Sequence, residues 1–155
     1  MFGSYRESTN SYVVCHRLHK LEKMNSDLTI TPEFFLKEET YQIIGICMEV
    51  HRELGHGFSE VVYKDAIEFE FREKNILYER EKEYQVFYKE RVLQHSFYAD
   101  FVVFNNIILE LKAIEGGISD DNIAQTLNYL KVSDSKVGLL INFGRRKLEY
   151  KRLIF

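Results

Sequence analysis

A chain of 155 residues that is 45% hydrophobic and 14% aromatic can fill one compact core but is too short for two ordinary domains. Its formal charge of -3 and pI near 6.0 exclude a global basic field, so any contact with nucleic acid must come from a local patch. Cys15 and Cys47 share no CxxC or finger spacing, which argues against zinc and against a disulfide scaffold, and a reducing cytoplasm fits. No segment approaches about eighteen apolar residues and the N-terminus lacks a continuous apolar stretch, so neither membrane spanning nor export is expected.

Residues 1 to 35 read as a polar extension, with Met24 as an alternative start and Pro32 opening the ordered domain expected over residues 36 to 155. From Glu38 to Leu54, Ile43, Cys47, Val50 and Leu54 recur at helical spacing, Ile46 widens the stripe, and Gly55 and Gly57 mark the end. Gly45 inside this first helix costs about 1 kcal/mol against alanine. Ser59 is placed to cap a second helix running to Lys74, with Val62, Ala66, Ile67 and Phe69 as its apolar stripe. Glu60 falls in its first turn, where the macrodipole favours a negative charge.

Beyond Asn75 the pattern turns to strands: Ile76 to Tyr78, Glu83 to Tyr88, a Lys89-Glu90-Arg91 turn, Val92 to Phe104, and Ile107 to Ala113. Gly116-Gly117 breaks the last of these. Ser119 or Asp120 caps a third helix with Ile123, Ala124, Leu127 and Leu130 on its buried side, ending near Val132. Val137 to Phe143 and Leu148 to Phe155 read as strands. This order predicts an α/β or α+β fold rather than repeats or a barrel.

The segment FYADFVVFNNIILELK, Phe97 to Lys112, carries Asp100, Glu110 and Lys112 in an otherwise apolar hairpin. Strand side chains alternate with a period of two, so Glu110 and Lys112 share one face. A carboxylate in low dielectric costs several kcal/mol unless it is paired or binds a cation, so a metal site or an internal ion pair is the natural candidate. The turn decides between registers. A two-residue turn at Asn105-Asn106 sets Asp100 opposite Leu111 and points the two carboxylates to opposite faces. A three-residue loop, Phe104 to Asn106 with Asn106 left-handed, pairs Val103 with Ile107 and sets Asp100 across from Glu110.

Elsewhere, Arg145, Arg146, Lys147, Lys151 and Arg152 put five cations within eight residues. Their plain reading is a solvated strand edge and the functional one a grip on phosphates. His51 and His56 flank Gly55, and His16 and His19 lie in the extension, without zinc spacing. GxGxxG, GxxxxGK[ST] and GxSxG are absent, so nucleotide-driven and serine-hydrolase functions lack support.

Taken together, Gly57-x-x-Glu60-x-x-Tyr63, Asp100, Glu110-x-Lys112 and Gln125-x-x-x-Tyr129 resemble the GxxExxY protein family of the PD-(D/E)XK nuclease superfamily. Gln125 to Tyr129 is similar to the QxxxY element of its RecB-like branch. The likeness spans roughly residues 36 to 155, includes Asn142-Phe143-Gly144, and leaves out the extension. It implies a mixed central sheet flanked by helices, with Asp100 and Glu110 as ligands of magnesium (or manganese) and Glu60 joining them directly or through water. It further implies that Lys112 orients the attacking water or the phosphate and that Gln125 and Tyr129 brace the site. The reading that follows is a magnesium-dependent nuclease acting on DNA, with Arg145, Arg146, Lys147, Lys151 and Arg152 expected to grip its backbone. The rival is a non-catalytic nucleic-acid-binding or assembly module on the same fold. Twelve Phe and ten Tyr are many for one small core, so a homodimer through aromatic surface belongs to that rival.

Overall fold

The computed structural model describes residues 36–155, and the expectations for the N-terminal extension, its alternative start, Cys15, His16, His19 and Pro32 fall outside them. In chain order the elements are α1 (Lys37–Leu54), α2 (Glu60–Glu73), β1 (Tyr78–Tyr84), β2 (Phe87–Tyr88), β3 (Arg91–Val92), β4 (Phe97–Val103), β5 (Ile107–Lys112), α3 (Asp120–Ser133), β6 (Val137–Asn142) and β7 (Glu149–Ile154). β1, β4, β5, β6 and β7 form one sheet in that order, while β2 and β3 make a separate small hairpin. All neighbours in the large sheet run antiparallel except β5 and β6, which are parallel and joined through α3.

The α1 stripe is as expected: Ile43, Ile46, Cys47 and Val50 are buried, and Gly55 closes the helix at φ 73°. In α2 the apolar stripe is different from the one expected. Tyr63, Ile67 and Phe71 are the buried residues, spaced at one helical turn, whereas Phe69 is 60% exposed because two residues rotate it away from Ile67. Ser59 occupies the N-cap of α2 in extended geometry without a side-chain cap, whereas Ser119 caps α3 in a full capping box with Asn122. On α3 it is Thr126 and Leu130 that are buried; Ala124 is exposed, contrary to the expected stripe.

Two strand expectations also change. The charged run Tyr78–Tyr84, YEREKEY, is one continuous strand at the sheet edge rather than the flanks of two. It is strand because alternate residues Tyr78, Arg80, Lys82 and Tyr84 lie half-buried. The expected strand Val92 to Phe104 is interrupted between Val92 and Phe97, and the β2–β3 turn contains only Lys89 and Glu90, since Tyr88 pairs with Arg91.

β4 and β5 adopt the three-residue-loop register, Val103 with Ile107 and Phe101 with Leu109. The left-handed residues are Phe104 (φ 52°) and Asn105 (φ 60°), not Asn106, and the Asn106 N–H donates to Val103 O at 3.2 Å. Two positive φ values in a row give the primed-turn twist that suits a hairpin.

Glycine-free left-handed geometry recurs at Glu81 (φ 50°), between the Arg80–Phe101 and Lys82–Ala99 pairs and so opposite Asp100. Side chains exchange faces there. Tyr78, Phe101 and Val103 pack into the cluster shared with α1 and α2, while Tyr84, Phe97 and Ala99 pack into the one shared with α3. The two clusters lie on opposite sheet faces, with Leu109 and Leu111 in the first and Ile108 in the second.

Candidate active site

Asp100 and Glu110 are buried, 7% and 3% exposed, at the point where the β4–β5 ladder ends. Their carboxylates replace the next pair of backbone bonds. The Asp100 N–H donates to Glu110 Oε1 at 3.3 Å, and the Leu111 N–H donates to Asp100 Oδ2 at 2.8 Å. Each acid thereby satisfies the other strand's backbone, which fixes both side chains by the same two contacts. One oxygen of each is engaged, and the other faces an ammonium: Lys64 pairs with Asp100 Oδ1, and Lys112 Nζ lies 3.8 Å from Glu110 Oε2.

Asp100, Glu110 and Lys112 are therefore brought together by the three-residue-loop register. Glu60, the first residue of α2, reaches them through Lys64, whose Nζ is 3.7 Å from Glu60 Oε1. Among the described residues no three His, Cys, Asp or Glu side chains are gathered closely enough to hold a metal by themselves. The donor set nevertheless fits a magnesium-like ion, which is commonly held by one or two carboxylates and completed by water and substrate phosphate. Burial and the Asp100 carboxylate push the Glu110 carboxyl up to about 8, against the pull of Lys112 and Lys64. Two acids so disposed favour an added cation.

Lys64 carries no distinctive signal in the sequence. A lysine four residues after a glutamate on a helix looks like a surface pair. Burial alone would depress its ammonium, but the hydrogen bond and charge of Asp100, with Glu60 and Glu81, hold it above the usual lysine range. The available clue was its place beside Tyr63, one turn before Ile67 on the buried stripe.

Gln125 and Tyr129 stand on α3, on the face of β5 that carries Glu110 and Lys112. Gln125 Nε2 donates to Tyr129 Oη at 2.7 Å. Burial and the charges of Glu110 and Asp100 raise the Tyr129 phenol above its ordinary range. Its ring stacks on Phe97 at 4.1 Å, and Phe97 stacks on Tyr84 at 5.0 Å, so three rings run from α3 across β4 to β1 beside the acids.

The other motif residues hold the frame. Tyr63 is fully buried; its hydroxyl donates to Gly55 O at 2.9 Å and accepts from the Phe58 N–H at 3.2 Å, which pins the loop delivering Glu60. That ring stacks on Phe143 at 4.4 Å. Asn142, also fully buried, accepts from Ile114 N–H at 2.8 Å and donates to Ile114 O at 2.8 Å. Gly144 packs so closely that a Cβ there would lie 2.4 Å from the Ile114 backbone. The Asn142-Phe143-Gly144 turn thus clamps the chain just after Lys112.

The five C-terminal cations divide. Arg145, Arg146 and Lys147 are exposed on the β6–β7 loop and line a cavity of about 750 Å³ with His56, Glu115 and Glu149. On β7, Lys151 is exposed, whereas Arg152 is half-buried and its Nε donates to Thr40 Oγ1 of α1 at 3.4 Å. His51 and His56 are likewise apart in role, since His51 Nε2 bonds Arg145 O at 2.8 Å while His56 lines the cavity. Cys47 is free and buried, and burial pushes its thiol far up. No helix among the described residues is long and apolar enough to cross a membrane.

No curated protein matches the chain. A solved structure titled "Crystal structure of SSO0001" is similar at 14% identity over 95% of this chain and 79% of that chain, with a TM-score of 0.48, too distant a likeness to carry an argument. The family model that matches, over residues 37–153, is that of the PD-(D/E)XK nuclease superfamily, and its span runs from the start of α1 to the penultimate residue of β7. The chain belongs to the PD-(D/E)XK nuclease superfamily.

Proposed function

We propose that this protein hydrolyses phosphodiester bonds of DNA with magnesium or manganese, and that residues 36–155 form the working domain. One observation carries the reading: Asp100 and Glu110, cross-bonded through each other's backbone, sit within reach of Lys112 on the parallel-paired strand β5. A site whose acids are held by the fold itself is preorganised before substrate arrives. Within the superfamily, the Gly57, Glu60 and Tyr63 spacing and the Gln125–Tyr129 bond support assignment to the GxxExxY, RecB-like branch.

Asp100 Oδ1 and Glu110 Oε2 would hold the ion, with Glu60 as an outer ligand through water. Held there, a divalent cation would supply Lewis-acid chemistry, lowering the pKa of an attacking water and polarising the phosphate. The chain's own groups supply position and charge. The Lys112 ammonium holds that water or the scissile phosphate as a compact cation. Gln125 and Tyr129 brace the α3 side, and the clamp at Ile114 keeps β5 in register with β6. Arg145, Arg146, Lys147 and Lys151, all exposed, offer sequence-independent, salt-sensitive contacts to the backbone of DNA, while Arg152 is engaged with Thr40 of α1.

The test incubates the protein with labelled single-stranded and duplex DNA and matching RNA in magnesium, manganese or EDTA, beside Asp100→Ala and Lys112→Ala. Cleavage that needs metal and vanishes in both variants supports the reading. Cleavage that persists in both, or none under any metal, overturns it in favour of the binding module.

A further inference from the structure

Lys64 has no part in the roles assigned above, yet its ammonium stands between two acids of the site. Asp100 Oδ2 already accepts the Leu111 N–H, so Oδ1 is the oxygen left for an outside ligand, and the Lys64 ammonium pairs with it. The Lys64 side chain is only 14% exposed. Glu60 Oε1 lies 3.7 Å from the same nitrogen, so one ammonium is set between acids from α2 and β4.

An ammonium and a divalent cation cannot both sit beside one carboxylate oxygen without strong mutual repulsion, which is little screened in a buried cleft. We propose that Lys64 is a built-in counter-ion: it holds Asp100 while metal is absent and must leave Oδ1 before a divalent cation loads, so this lysine sets the metal affinity of the site. The inference rests on the reading of Asp100 as a metal ligand. Lys64 is a positioning residue in this scheme, acting through Asp100. Glu60 gives it a second resting place, and that same glutamate is the outer ligand, so exchange of the lysine and capture of the ion draw on one set of oxygens.

Titration of manganese into the full chain, followed by calorimetry without substrate, tests this. Lys64→Met is expected to bind manganese about tenfold tighter than the parent protein, while Lys64→Arg keeps the parent affinity. Metal-free Lys64→Met should melt below the parent protein and rise more on saturation with manganese. Should Lys64→Met not fold, Lys64→Gln carries the same comparison. Equal or weaker affinity in the neutral variant, with Asp100-dependent binding intact, overturns the proposal alone. Binding that Asp100→Ala leaves unchanged, or none in any of these proteins, overturns the metal reading and the proposal with it.

Discussion

The acidic cleft and the clamp beneath it are built from adjacent residues to opposite ends. In the clamp every strong polar atom has its partner inside the chain: Tyr63 Oη joins Gly55 and Phe58, and Asn142 brackets Ile114. In the cleft, Asp100 and Glu110 each commit one oxygen to the backbone and turn the other toward an ammonium. Motif membership therefore does not tell the two apart. Glu60 and Tyr63 are three residues apart in one motif, yet Glu60 faces the cleft and Tyr63 is sealed into the frame.

The contrast breaks most sharply at the acids. Glu110→Gln and Asp100→Asn should each lower DNA cleavage by about 10³-fold, while thermal melting falls only modestly, because each amide oxygen can still accept the backbone N–H its acid accepts and Lys64 keeps Glu60 as a partner. A large fall in melting temperature for both would place these acids with the frame. Next comes Gly144→Ala, whose Cβ meets the Ile114 backbone: unfolding in urea should show a loss of about 3 kcal/mol. Its residual folded fraction should cleave at near the parent rate per molecule. Tyr63→Phe keeps the ring on Phe143 and removes only the hydroxyl bridge, so about 1–2 kcal/mol is expected. A smaller effect still is expected from the partly exposed network around Glu68, which calibrates both regions. Hydrogen bonding from Arg80, with Tyr78 and Arg72, holds the Glu68 carboxyl below its usual range. A depressed carboxyl stabilises above its unfolded value, and that stability is lost as pH falls through the folded one. Glu68→Gln should then cost under about 1 kcal/mol at neutral pH and flatten the stability curve only below about pH 4.5.

What was readable beforehand follows the same division. α1 was legible from its stripe, whereas the hairpin allowed two registers and only the condition that Asp100 and Glu110 share a face pointed to the three-residue loop that forms. The turn's own geometry was not legible, because Phe104 in a left-handed conformation goes against its preference and is held there by its N–H bond to Leu77 O at 2.9 Å. β1 escaped because five of its seven residues are charged, and a charged edge strand looks like loop until its neighbour is known. Lys64 escaped for a related reason: helical spacing explains its pairing with Glu60, and only the fold brings Asp100, thirty-six residues later, to the same nitrogen.

The exchange of faces at Glu81 gives β1 two allegiances. Its first residue, Tyr78, is packed under α2 through Phe71, and its last, Tyr84, is packed under α3 through Phe97 and Tyr129. A disturbance at either end is therefore felt by a different helix, and the two meet only at the pivot opposite Asp100. One short ribbon of chain thus acts as a seesaw whose fulcrum is the acid itself, so slow amide exchange along β1 should divide into two separately tunable halves.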